Sequence, residues 1–70
     1  MIGLALRLFI NGTQIGDNAT IREWGETENA IEQDAIQFYQ GQGYSVETKL
    51  ATLDTWPGMP ERTLVVRCTK

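Results

Sequence analysis

The chain has 70 residues, 41% of them hydrophobic and 21% charged, and a net charge of −3 at pH 7. That composition excludes a disordered chain and allows one small domain, near the lower size limit for a core without disulfides or metal. Six basic residues against nine acidic ones argue against a sequence-independent nucleic-acid binder, which needs a basic field to displace counterions.

Cys68 is the single cysteine, so no internal disulfide can form, and a reducing, cytoplasmic setting is expected. The opening MIGLALRLFI is apolar, but Arg7 interrupts it and it lacks a basic n-region. It is also shorter than a membrane span.

In residues 4–10, Leu4, Leu6, Leu8 and Ile10 alternate with Ala5, Arg7 and Phe9, which predicts a strand with one aliphatic face. Asn11-Gly12 follows, the strongest short hairpin signal, and Thr13-Gln14-Ile15 reads as a brief return strand. Residues 19–24 fit either a short strand or an irregular turn of helix. Thr27 is a good N-cap with Glu28 in the first turn. At 100° per residue Ile31, Ala35, Phe38 and Tyr39 share one helix face, and Asn29, Gln33, Gln37 and Gln40 form a neutral polar one. Gly41 or Gly43 supplies the stop.

Tyr44, Val46, Thr48, Leu50 and Thr52 alternate through the next strand, and Leu64, Val66 and Cys68 through the last. Residues 54–61 are expected to connect the two. The expected fold is α+β: a small antiparallel sheet of three to five strands with one helix packed on one face, in the order β(ββ)αββ. Its core should hold Leu6, Leu8, Val46, Leu50, Leu64 and Val66, met by Ile31, Ala35 and Phe38 from the helix.

The chain contains no histidine, which removes the commonest general base and the usual nucleophilic pairs. Ser45, the only serine, falls within a strand, and Cys68 lies among aliphatics, where it reads as a small buried hydrophobe. No calcium-loop, P-loop or dinucleotide spacing occurs. The expectation is a non-enzymatic protein without cofactor or metal.

Two stretches could carry binding. Between Asp17 and Asp34 there are six acids and one base, Arg22. Glu23, Glu26, Glu28 and Glu32 could form an anionic patch for a partner with a basic surface, or only a solvated helix start. The stretch TWPGMPER, residues 55–62, holds Trp56, Met59 and Arg62 between stiffening prolines. It could present a preformed anchor, or fold Trp56 back as a lid on the core.

The fragments GTQI at Gly12-Thr13-Gln14-Ile15 and QFYQG at residues 37–41 resemble pieces of a small type I-F anti-CRISPR family. The similarity implies a viral, non-catalytic inhibitor that binds a host defence complex. The C-terminal half has no counterpart in it. Two other functions are open to the same residues. One is a single-stranded nucleic-acid module using the outer sheet face, with Arg7, Phe9, Arg67 and either Tyr44 or Trp24. The other is a structural protein that self-associates, as a homodimer or larger assembly, through a strand edge.

Overall fold

A computed structural model describes residues 1–16 and 22–70, without the side chains of residues 55 and 56. Five strands and one helix follow in the order β1 (Ile2–Ile10), β2 (Thr13–Ile15), β3 (Arg22–Gly25), α1 (Glu28–Gln40), β4 (Ser45–Trp56) and β5 (Met59–Thr69). The α+β plan with one helix across one face is the expected one. The sheet itself is mixed, because β1 and β5 at its centre run parallel, from Ala5 opposite Thr63 to Ile10 opposite Cys68. β4 closes one side antiparallel to β5, and β2 and β3 share the far side of β1.

This order explains the helix. β3 and β4 point the same way at opposite margins of the sheet, so the chain must cross over β1 and β5 between them. Such crossovers are usually helical. Because the strands are in register, even-numbered residues of β1, β4 and β5 face the helix and odd-numbered ones face away. Leu4, Leu6, Leu8, Leu64, Val66 and Cys68 are buried beneath Ile31, with Ile10, Ala35, Tyr39, Tyr44, Val46 and Leu50 packed at the margin.

Asn11-Gly12 forms the first hairpin turn with both φ angles positive, at 50° and 84°, as a type I′ turn requires. The segment read as a connection, residues 54–61, is instead the tip of the β4–β5 hairpin. Trp56 pairs with Met59 across a Pro57-Gly58 turn, where Gly58 takes φ 79°. Proline followed by a left-handed glycine is the type II combination. The register slips by one residue between Asp54 and Trp56, which marks a bulge behind the turn. Pro60 is tolerated there because β5 pairs with β1 only from Thr63 onward, which leaves that side of Pro60 without a ladder.

The helix begins as its sequence suggests, with Thr27 Oγ1 accepting from the Ala30 N–H at 3.1 Å. Its rotation differs from the expected one. Phe38 is 61% exposed, not part of the core. The helix leans toward the β4–β5 hairpin, where Arg62 of β5 donates from Nε to Glu28 at 2.9 Å and the Thr48 hydroxyl of β4 donates to Glu32 at 2.8 Å. The buried stripe therefore centres between Ile31 and Tyr39, and Phe38 lies about 60° around the helix from that centre, on the side away from Tyr39. Its ring packs edge-on against Tyr39, with ring centroids 5.0 Å apart. The polar face of Asn29, Gln33, Gln37 and Gln40 is exposed, as expected.

Ile31 is 2% exposed, so Ile31→Ala should cost about 2–5 kcal/mol, most of the stability of so small a domain. Phe38→Ala should cost less than about 1 kcal/mol. Urea melts of the two variants followed by circular dichroism decide the order; the reverse order would mean that the helix is rolled toward β3.

Candidate binding face of the sheet

Among the described residues, no second layer covers the odd-numbered face of the sheet. Its side chains form cross-strand rows. Gln14, Phe9, Arg67 and Glu47 make one row, and Arg7, Val65 and Lys49 the next. Arg22, Ala5, Thr63 and Ala51 make a third. Trp24 lies opposite Gly3 at the end of the face.

The two ends of this face are built differently. At the β3 end the backbone is covered. A Cβ on Gly3 would come within 2.7 Å of the Trp24 ring, so glycine is what lets the indole lie flat across β1. Cross-strand glycine–aromatic pairing of this kind shields an otherwise bare strand. Trp24 nevertheless stays 62% exposed on its outer side. Arg22 reaches over β1 to Glu61 on β5, with Nη2 at 2.7 and 2.8 Å from the two carboxylate oxygens. Ala5 and Thr63, in the row beneath this strap, are almost wholly buried.

At the other end the face opens into a shallow groove of about 490 Å³ lined by Arg7, Phe9, Lys49, Leu53, Val65 and Arg67. The Arg67 guanidinium sits over the Phe9 ring, 5.7 Å from its centroid. Among the described residues Arg7 and Lys49 form no ion pair. Charge is segregated across the sheet. Four of the six basic residues, Arg7, Arg22, Lys49 and Arg67, stand on the open face, where the acids among the described residues are Glu47 and Glu61. The helix side holds Glu23, Glu28, Glu32 and Asp34 against Arg62 and Lys70.

The residues expected to bind a partner do not form one surface. Glu28 and Glu32 are taken up by Arg62 of β5 and Thr48 of β4 in holding the helix to that hairpin. Arg62 also lies 3.5 Å from the Thr52 hydroxyl, so at the surface it ties β5 to both β4 and the helix. Met59 is 58% exposed at the hairpin tip, and strand alternation directs it to the face opposite Arg62. Glu23 is exposed on β3 toward the helix, and Glu26 is exposed in the turn before it. The Trp56 side chain lies outside the described residues. Of the aromatic and cationic residues proposed for the outer face, Arg7, Phe9, Arg67 and Trp24 do come together there. Tyr44 does not: it belongs to the core margin, with the Lys70 ammonium 4.7 Å from its ring centroid.

Cys68 is buried against the helix side, and burial pushes its thiol pKa up. Tyr39 is also raised, first by burial and then by Cys68 and Glu23. A buried, protonated thiol is a packing group rather than a nucleophile. Among the described residues no group of three or more His, Cys, Asp or Glu side chains could hold a metal ion. No described helix is long and apolar enough to cross a membrane. No protein-family model, curated protein or solved structure matches the chain.

The raised thiol pKa has a definite pH signature. Below about pH 8.5 the thiol is protonated in both the folded and unfolded chain, and the fold keeps its full stability. As the pH rises further, the unfolded thiol ionises first, so stability falls until the folded pKa is passed. Thermal melts from pH 7 to 10 should show this loss in the wild type and a flatter profile in Cys68→Ala. Equal slopes in both would place Cys68 in contact with solvent.

Proposed function

We propose that this protein is a non-enzymatic binding module that receives its partner on the open face of the sheet. The observation that carries this reading is the one-sided cover of the sheet: Arg7, Phe9, Lys49, Val65 and Arg67 stand together on a face with no second layer. A face intended only for solvent would present a polar, mixed-charge surface. Here aromatic and aliphatic side chains are interleaved with cations, of which Arg7 and Lys49 form no ion pair among the described residues.

The inhibitor role implied by the anti-CRISPR resemblance is a narrower form of the same class, with a protein as partner. A basic partner on the acidic side would meet Glu23 and Asp34 beside Phe38, which line a second groove between α1 and β3. That version has less support, because Glu28 and Glu32 are already engaged within the fold.

Photo-crosslinking separates the two surfaces without assuming what the partner is. A photoreactive residue at Lys49 reports on the open face, and one at Gln33 on the exposed back of the helix. In an extract of the source cells, adducts should form from position 49 and not from position 33. Adducts from position 33 alone would contradict the reading.

A further inference from the structure

We infer that the occupant of the open face is single-stranded nucleic acid. This rests on the open-face reading above and adds the chemistry of the ligand. The whole chain is acidic, but a ligand meets the local field, and the open face has more basic than acidic side chains. Arg7, Lys49 and Arg67 come from three adjacent strands and cluster within two rows of the sheet, where they can follow one phosphate backbone.

Two aromatic rings flank this cluster. Phe9 and Trp24 mark opposite ends of β1, about 20 Å apart by strand rise. Phe9 is already capped by the Arg67 guanidinium, a ready cation–π platform, and Trp24 keeps its outer surface exposed over Gly3. The exposed Trp24 ring and the half-buried Phe9 ring under its guanidinium offer surfaces on which unstacked bases can stack, with room here for two or three. A duplex offers no such bases, and no helix or ribbon projects from this face to enter a groove. A second copy of the chain is the poorer occupant, since face-to-face pairing on a two-fold axis would set the same cations against one another.

The test is fluorescence anisotropy with labelled 12-nucleotide single strands of DNA and RNA and the matching duplex, from 20 to 200 mM salt. Single strands should bind more tightly than duplex. The plot of log K against log salt should have a slope near −2, about 0.7 for each of three phosphate contacts. Lys49→Glu, on an exposed edge strand, should weaken binding and flatten that slope. Phe9→Ala should weaken binding about fivefold or more with the slope unchanged. Gln33→Ala should change neither. Each variant is first checked for the native circular dichroism spectrum. If Phe9→Ala fails that check, Lys49→Glu and Gly3→Val, which displaces Trp24, carry the test.

No binding at 20 mM salt overturns the inference, as does equal binding of duplex and single strand that is indifferent to both Lys49→Glu and Phe9→Ala. If position 49 still crosslinks to a protein in that event, the open-face reading stands and only the nucleic-acid assignment falls.

Discussion

Everything on this molecule follows from the parallel register of β1 against β5. That pairing puts the even residues of the two central strands on one side, so Leu4, Leu6, Leu8, Leu64, Val66 and Cys68 make a continuous apolar strip under a single helix. The same parity assigns Arg7, Phe9, Val65 and Arg67 to the other side. A slip of one residue in either strand would turn that strand's odd side chains inward and bury Arg7 or Arg67. Core and binding face are therefore two consequences of one register, and a substitution that disturbs either strand should be felt on both sides.

One helix cannot cover both faces of a four-strand-wide sheet, and the described residues hold no further element to cover the second. Its solution at the β3 end is local: the Trp24 ring lies on Gly3 and the Arg22–Glu61 strap shields Ala5 and Thr63. The strap is a surface ion pair and contributes little to stability on its own. Its effect is to dry the backbone beneath it. No comparable device closes the other end of the face, and that asymmetry is why the cations and Phe9 there are read as a site rather than as ordinary surface.

Much of this was legible in the sequence. Alternation in residues 4–10 and 44–52 separated the core side chains from Arg7, Phe9, Glu47 and Lys49, and Asn11-Gly12 and Thr27 fixed a turn and a helix start. Four features were not legible, each for a physical reason. Parallel pairing of the first and last strands leaves no local signal, since it depends on where the crossover helix lands. Helix phase was read from hydrophobicity, which favours Phe38, whereas the polar anchors Arg62 and Thr48 rolled the helix toward Glu28 and Glu32. The prolines of TWPGMPER suggested a loop, because a lone sequence does not show that Pro60 has a ladder on one side only. Trp24 escaped notice as a partner of Gly3 for a similar reason: the strand that presents it is four residues long and flanked by weak signals.

The most direct test of the account is the solvent accessibility of side chains of alternating parity along β5. Methyl-labelled protein in the presence of a soluble paramagnetic probe reports this for Leu64, Val65 and Val66 in one spectrum. The account predicts strong relaxation of the Val65 methyls, with Leu64 and Val66 protected. Protection of Val65 equal to that of its neighbours, in a protein that sediments as a monomer, would mean that the face is covered and would contradict it.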